Sequence, residues 1–161
     1  MRDLGARLLD ANRCEFRVWA PQRERIEVHI VAPNERRVPL HKNGGYHEAV
    51  VEDCPEGTRY LYAIDGGNER PDPASRHQPD GVHGPSEVIG RDFEWHDGGW
   101  RGVALEDYVV YELHVGTFTS DGTFDAIIPR LDSLKELGIT AVELLPVAQF
   151  PGTRNWGYDG T

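Results

Sequence analysis

The chain has 161 residues, with 17 Lys and Arg against 27 Asp and Glu, and a formal net charge of -10. This length accommodates about one domain, or one domain and part of another. Hydrophobic residues make up 39% and charged residues 27%, which is typical of a folded globular protein. The acidic balance argues against nucleic acids and membranes as partners, because both require a basic surface.

No segment predicts a membrane span or a secretory signal. No apolar run approaches the roughly 20 residues that a transmembrane helix needs, and residues 1–12 carry two Arg and two Asp instead of an apolar core. We therefore expect a cytoplasmic protein. Cys14 and Cys54 are the only cysteines, and their spacing favours reduced thiols over a disulfide framework or a zinc site.

The first half of the chain has the pattern of an all-β domain. Short alternations of apolar and polar residues are separated about every ten residues by turn signals, with no helical periodicity. The predicted strands span residues 15–20, 26–31, 36–40, 46–51, 58–64 and, more briefly, 86–89. This pattern predicts an all-β, immunoglobulin-like sandwich over residues 1–90.

Two segments lack any periodicity. Residues 71–85 (PDPASRHQPDGVHGP) are dense in Pro and Gly but too varied for a low-complexity linker, so we expect an ordered loop packed along the sandwich. Residues 91–107 contain Trp95 and Trp100 and are predicted to form a connector to a second domain.

Residues 108–161 predict one βαβ unit. Residues 108–115 and 139–147 are apolar on both faces, as in strands of a parallel sheet that are buried on both sides. Between them, five apolar residues recur at helical spacing: Ile127, Ile128, Leu131, Leu134 and Leu137. Gly138 follows at a position suited to end this helix. Parallel strands need further units to cover their edges, so we expect a truncated piece of a larger fold.

The sequence does not predict a metal or a cofactor. The seven His are scattered, and His47-Glu48 lacks the second His of a zinc protease. The patterns GxGxxG, GxxxxGK[ST] and GxSxG are absent, which leaves nucleotide binding and serine hydrolase chemistry unsupported. His114 ends an apolar strand, where barrels of βα units carry their active sites, although a structural role is favoured for it.

The loop FPGTRNWGYDGT, residues 150–161, contains the candidate substrate-binding residues Trp156, Tyr158 and Asp159. An aromatic ring can stack on the C–H face of a neutral sugar while a neighbouring carboxylate accepts hydrogen bonds from its hydroxyls. On chemistry alone, an aromatic loop that packs on another part of the protein is an equally good interpretation.

Several stretches resemble a known family. YELHVGTFT, GTFDAIIPRLDSLKELGIT, AVELLPV and WGYDG are similar to the first strand, first helix, second strand and following loop of the catalytic barrel in the α-amylase superfamily, glycoside hydrolase family 13. The segment with FRVWAP resembles the early-set, glycogen-binding-like domain that precedes this barrel. Within the superfamily, DPASRHQPDGVHGPSEV and YELHVGTFTSDGTFDA are most similar to the trehalose-releasing subfamily.

The resemblance implies the N-terminal part of a retaining enzyme that hydrolyses the α-1,4 bond beside a terminal trehalose of a maltooligosaccharide. Its catalytic carboxylates come from the fourth, fifth and seventh barrel strands, so no catalytic residue is assigned in this chain, and we expect it to be inactive by itself. We do not assign Glu112 or Glu143 as catalytic carboxylates. By the resemblance, Tyr158 matches a Tyr that stacks under the sugar. Branching and debranching enzymes are the alternatives.

Two further expectations concern partners. The sandwich could itself bind carbohydrate through exposed aromatic residues, with Trp19, Tyr46, Tyr60 and Tyr62 as candidates. We favour a place in the core or against the barrel for these side chains, because aromatic residues of strands are more often buried than used as a binding platform. The uncovered strands of residues 108–161 invite self-association, so we expect this part to be either poorly ordered or buried in an oligomer or a swapped arrangement.

Overall fold

A computed structural model describes residues 3–90 and 93–159. The chain divides into two compact units, residues 1–93 and residues 94–161. The first contains two antiparallel sheets. One sheet has the order β1-β2-β6-β5: β1 Gly5–Asp10, β2 Arg13–Trp19, β5 His41–Asn43 and β6 Tyr46–Val51. The other has the order β4-β3-β7-β8, with β9 paired to β7: β3 Ile26–Ala32, β4 Arg36–Pro39, β7 Arg59–Ile64, β8 Glu69–Arg70 and β9 Ser86–Glu87.

The two sheets enclose one apolar core. Phe16 and Val18 of β2 and Val28 and Tyr60 of the other sheet are buried in the same cluster. The rings of Phe16 and Tyr60 meet edge to face with centroids 4.8 Å apart, a favourable geometry for two aromatic rings. The predicted sandwich of antiparallel sheets is therefore confirmed. Both cysteines are free and buried, and β2 carries Cys14.

Two strands were not predicted. The sequence predicted a single strand ending near Ala20, whereas Gly5–Asp10 forms a hairpin with Arg13–Trp19. The Asp10 carboxylate accepts hydrogen bonds from the backbone N–H groups of Asn12 and Arg13, which closes the turn between them. Strand β5 likewise follows β4 where one strand was expected.

The segment over residues 71–85 is ordered and packed along the sandwich, as predicted. Arg76 donates from Nη1 to the carbonyl of Ala6 on β1 at 2.9 Å. The buried Asp72 accepts a hydrogen bond from the Tyr60 hydroxyl of β7 at 2.7 Å. These contacts tie the segment to one strand of each sheet.

The second unit contains the predicted βαβ arrangement. Strands β10 (Val110–His114) and β11 (Ala141–Leu145) are parallel, and the helices α1 (Val115–Phe118) and α2 (Leu131–Glu136) lie between them in the chain. Short 3₁₀ turns occur at Leu105–Asp107 and Ile128–Arg130. None of the helices in residues 3–90 and 93–159 is long and apolar enough to cross a bilayer.

Helix α2 is shorter than its apolar pattern predicted. The chain forms a 3₁₀ turn over Ile128–Arg130 before the α-helix begins at Leu131. Pro129 lacks an N–H group and restricts the residue before it, so it sits at the start of a helix and not inside one. Gly138 directly follows the C-cap Leu137 with a φ of +95°, which confirms its predicted role at the helix end.

The two strands are not buried on both sides within this unit, in agreement with the expectation that they need further units to cover them. Leu113, Val115 and Ile127 form its buried cluster. Val110 is nonetheless 55% exposed. Within the described residues β10 and β11 pair only with each other. The two strands therefore carry more apolar surface than the elements of this unit bury.

Candidate functional site

The candidate site lies at the carboxyl ends of the two parallel strands. In the register of the sheet, Val110 is opposite Ala141 and His114 is opposite Leu145, so both strands end at the same edge. The chain segments that follow each strand therefore start side by side. This edge is where parallel sheets with βα connections carry their binding sites.

A cleft of about 870 Å³ opens at this edge. Apolar side chains, among them Val115, Phe124 and Val147, form most of its lining. Polar groups also line the cleft: His114, Thr117, Thr123, Gln149, Arg154 and Asn155. This size suits a small organic ligand such as a sugar unit. Among residues 3–90 and 93–159 no group of three potential His, Cys, Asp or Glu metal ligands occurs.

The predicted substrate-binding residues lie directly beyond the cleft lining and not within it. Trp156 and Tyr158 are 88% and 81% exposed. Asp159 is also exposed, and its backbone N–H points to Asn155 Oδ1 at 3.3 Å. The structure thus presents two aromatic rings and a carboxylate on one short exposed segment next to the cleft.

Glu112 and Glu143 have no place in this site. They are opposite each other in the register of the parallel strands, two residues before the strand ends. Both are exposed and neither lines the cleft. Their adjacency follows from strand pairing, which agrees with leaving them out of any catalytic role.

Asn155 was missed by the sequence prediction. Its backbone carbonyl lies 2.7 Å from His114 Nε2, and its side-chain oxygen accepts from the N–H of Gly157 at 2.5 Å. No periodicity or motif links residues so far apart in the chain. His114, which the sequence placed at a strand end with a favoured structural role, therefore contacts the candidate loop directly.

The aromatic residues of the sandwich separate into two groups. Tyr60 and Tyr62 are 1% and 2% exposed, as expected for core residues. Trp19, in contrast, is 60% exposed at the end of β2 and lies opposite Tyr46 of β6. Tyr60 and Tyr62 thus lie in the core as expected, whereas Trp19 does not, and a place for Trp19 against the barrel stays a prediction.

The Trp19 surface carries polar groups beside its aromatic rings. The guanidinium carbon of Arg17 lies 4.0 Å from the centroid of the Tyr46 ring, and Arg17 Nε lies 3.2 Å from Glu48 Oε2. Asn43 of β5 is opposite Tyr46 in the sheet. We call these five residues, Arg17, Trp19, Asn43, Tyr46 and Glu48, the Trp19 face.

Comparison with known proteins supports a relation to α-glucan enzymes. Residues 3–79 match the family Carbohydrate-binding module 48 (Isoamylase N-terminal domain). The malto-oligosyltrehalose trehalohydrolase of Saccharolobus solfataricus is 48% identical over 153 residues, which cover 94% of this chain and 27% of that protein. The enzyme of the same name from Deinococcus radiodurans is 44% identical, over 90% of this chain and 24% of that protein.

A branching enzyme and a solved structure extend the comparison. The 1,4-alpha-glucan branching enzyme of Cereibacter sphaeroides is 34% identical over 89% of this chain and 22% of that protein. A crystal structure from Salmonella typhimurium, of a protein assigned as an alpha amylase, superposes with a TM-score of 0.88 and 40% identity. It covers 99% of this chain and 27% of that one.

The chain spans about a quarter of the length of the curated relatives it matches. The predicted resemblance to the trehalose-releasing subfamily is confirmed, since identity to its members exceeds identity to the branching enzyme. This chain is similar, over nine-tenths of its length or more, to the N-terminal part of malto-oligosyltrehalose trehalohydrolases.

Proposed function

We propose that this chain is the N-terminal part of a retaining α-glycosidase that hydrolyses the α-1,4 bond next to the terminal trehalose of maltooligosyltrehalose and releases trehalose. The observation that carries the proposal is the 48% identity to a named trehalohydrolase over 94% of the chain. A glycogen branching or debranching activity is the less favoured alternative, because the branching relative is 34% identical.

The chemistry would require two carboxyl groups about 5–5.5 Å apart, one as nucleophile and one as acid and then base. The family resemblance assigns these groups to barrel strands after the second. In the proposed enzyme, residues 108–161 begin the (β/α)8 barrel, after an immunoglobulin-like early-set domain over residues 1–90 and a connector over residues 91–107. The parallel pairing of β10 with β11 supports this arrangement.

In this proposal the exposed loop contributes to substrate binding. Tyr158 would stack on a sugar ring, with Asp159 and Trp156 beside it, because an exposed ring costs little to desolvate and matches the apolar face of a sugar. We further propose that the protein is cytoplasmic. The two free buried thiols, Cys14 and Cys54, support a reducing compartment.

Trehalose release from maltooligosyltrehalose tests the activity. The chain alone should release none, whereas the same chain continued by its downstream coding sequence should release trehalose and leave a shortened maltooligosaccharide. Amylose and pullulan serve as parallel substrates, since branching of amylose or cleavage of pullulan without trehalose release would favour the alternatives. Robust turnover by the 161-residue chain alone would contradict the assignment of the catalytic groups to later strands.

A second function, α-glucan binding by the sandwich, is favoured by the Trp19 face. The carbohydrate-binding module match covers residues 3–79, which contain the whole face. Gly45 leaves room for the Trp19 ring, because a Cβ at this position would lie 3.0 Å from Trp19 Nε1. The exposed indole and Tyr46 offer stacking surfaces, and Arg17, Asn43 and Glu48 offer hydrogen-bonding groups for sugar hydroxyls.

Titration with maltoheptaose, followed by tryptophan fluorescence and calorimetry, tests this second function. We expect a saturable signal that Trp19→Ala reduces to the contribution of the loop that contains Trp156. Trp100→Ala is the matched control, because Trp100 is 66% exposed and belongs to the other unit. If wild-type chain gives no saturable signal, the sandwich has a structural role only.

We also propose that this chain, by itself, self-associates through the uncovered strands of residues 108–161. Val109 and Val110 are 51% and 55% exposed, and Leu137 is 71% exposed. A second copy offers the same apolar strands, so it can cover them.

A further inference from the structure

His114 contacts the candidate loop through one ring nitrogen. Its Nε2 lies 2.7 Å from the backbone carbonyl oxygen of Asn155. A carbonyl oxygen only accepts hydrogen bonds, so Nε2 carries the proton in this contact. The other nitrogen, Nδ1, is buried and has no hydrogen-bond partner in the described part of the chain. The neutral tautomer with the proton on Nε2 satisfies this geometry.

The side chain of Asn155 continues the connection into the loop. Its Oδ1 accepts from the backbone N–H of Gly157 at 2.5 Å and from that of Asp159 at 3.3 Å. These two amides lie on either side of Tyr158 in the chain. The backbone carbonyl of Asn155 is thus held by His114 at the end of β10. The side-chain amide oxygen of Asn155 in turn holds the backbone on either side of Tyr158.

Gly157 brings the same loop against the end of the neighbouring strand. Its φ is +109°, in the region that favours glycine. A Cβ on this residue would overlap Cδ1 of Leu145, the last residue of β11. The loop is therefore held at the ends of both parallel strands, by a hydrogen bond at His114 and by close packing at Leu145.

We propose that His114 is a positioning residue: through Asn155 it fixes the backbone of residues 157–159, so that the side chain of the exposed Tyr158 leaves the loop in one direction. Tyr158 is 81% exposed, so packing of its own ring contributes little to that placement. A loop backbone that is ordered before binding loses less conformational freedom when a ligand stacks on Tyr158. Only the sugar contact of Tyr158 rests on the function proposed above.

Nuclear magnetic resonance of the 161-residue chain tests the proposal at two points. The long-range ¹H–¹⁵N spectrum of His114 should place the ring proton on Nε2. The amides of Gly157 and Asp159 should exchange with solvent roughly 3- to 10-fold faster in His114→Leu, the change expected when one net hydrogen bond is lost. In His114→Gln, whose side chain keeps an N–H donor, protection should return in part, which a purely space-filling role would not produce.

A second pair of variants isolates the Asn155 side chain. Asn155→Ala should speed exchange at Gly157 and Asp159 and leave the His114 tautomer unchanged, because the backbone carbonyl is kept. Asn155→Asp retains acceptor oxygens and should stay close to wild type. Those amides of β10 that are hydrogen-bonded to β11 report whether each variant is folded. If His114→Leu loses their protection, the two Asn155 variants provide the test.

The proposal is overturned if the His114 proton lies on Nδ1, or if folded variants without the His114 donor or the Asn155 oxygen exchange as slowly as wild type at residues 157 and 159. Titration with maltoheptaose separates this result from the proposed function. If exchange responds to His114→Leu but the Tyr158 signals do not move with sugar, the positioning role holds and the sugar contact is refuted.

Discussion

The Tyr60 hydroxyl donates a 2.7 Å hydrogen bond to Asp72 Oδ2, and both side chains are buried in the sandwich. The other carboxylate oxygen of Asp72 accepts from the N–H of Ala74 at 2.8 Å, and the backbone N–H of Asp72 donates to Ser86 Oγ at 3.0 Å. This group joins strand β7, the segment over residues 71–85 and strand β9. A buried carboxyl group thus holds a segment without regular secondary structure on the sandwich.

Tyr60→Phe tests the energetic value of this pair. The substitution keeps the ring that packs on Phe16 and removes one hydrogen bond from a buried carboxylate, so we expect the free energy of unfolding to fall by about 1–3 kcal/mol. Urea denaturation followed by circular dichroism measures the loss. Tyr158→Phe, at an exposed position in the other unit, is the control and should change little. Equal stabilities of the two variants would contradict a stabilising role for the pair.

The pH dependence of stability should reveal Asp72. Burial raises the pKa of this carboxyl above its ordinary value of 3.8, partly opposed by the Ala74 N–H and the Tyr60 hydroxyl. Between the ordinary and the raised pKa the folded chain keeps a proton that the unfolded chain has lost. This contribution to the free energy of unfolding is therefore complete below the ordinary pKa and is lost as pH rises through the folded pKa.

Asp72→Asn removes this titration. Denaturation curves at several pH values between about 3 and 7 should show wild type losing stability relative to the variant as pH rises. Asp10 and Asp65 act in the opposite direction, because backbone N–H groups of Asn12 and Arg25 lower their pKa values, and their contributions are lost as pH falls. Asp10 and Asp65 are present in both wild type and Asp72→Asn, so the difference between their free energies of unfolding isolates the contribution of Asp72. A constant difference across the range would refute the raised pKa.

The parity of strand residues explains which aromatic side chains were predicted correctly. Successive side chains of a strand point to opposite faces. Trp19 shares its parity with Arg17 and not with Phe16 and Val18, so the alternation placed it outside even though its residue type suggested the core. Tyr60 and Tyr62 share one parity and are both buried. Where pattern and residue type disagreed, the pattern was the better guide.

Strands with a clear alternation were predicted closely, and those without it were missed. Tyr46–Val51 has the predicted bounds, and Arg59–Ile64 begins one residue later than predicted. Strand β1 contains Leu8 and Leu9 in succession and is only partly buried, so its pairing with β2 is not visible in its own sequence. Edge strands of this kind depend on the register of a neighbour, which is long-range information.

The candidate site divides in the same way. The aromatic and acidic residues of the loop are recognisable by type, so Trp156, Tyr158 and Asp159 could be named from the sequence, and their contact with substrate stays a prediction. The contact of His114 with Asn155 joins positions 41 residues apart and depends on how the loop folds back on the strand ends. Local patterns carry no information on such a contact.

Truncation of Phe16 and Trp19 should have very different costs. Phe16 is fully buried, and Phe16→Ala should lower the free energy of unfolding by about 3–5 kcal/mol, because it removes apolar contacts and leaves a cavity. Trp19 is 60% exposed, and Trp19→Ala should cost less than about 1 kcal/mol. Urea denaturation of both variants checks the contrast. A large loss in Trp19→Ala would show that Trp19 stabilises the fold instead of serving as a binding surface.

Two loop glycines provide a matched test of close packing. Gly152 and Gly157 both have positive φ, +83° and +109°, but a Cβ at Gly152 would meet no atom within 4 Å, whereas one at Gly157 would overlap Leu145. Gly152→Ala should carry backbone strain only, of about 1 kcal/mol. Gly157→Ala should in addition displace the loop and speed amide exchange at Asp159. Equal exchange rates in the two variants would refute the close contact of Gly157 with Leu145.

Self-association of the chain should depend on the exposed apolar strand of the second unit. Val110 on β10 is 55% exposed, and two-stranded sheets of this kind have marginal stability in water. We expect the sedimentation coefficient of wild type to rise with protein concentration and that of Val110→Lys to stay constant, because a charge on an open strand opposes pairing with a second copy. Val50→Lys introduces the same charge at a residue that is 49% exposed on β6 of the sandwich, and it should associate like wild type. A wild-type chain that sediments as one species at all concentrations would refute self-association, and an equal effect of both Lys variants would assign it to net charge instead of to β10.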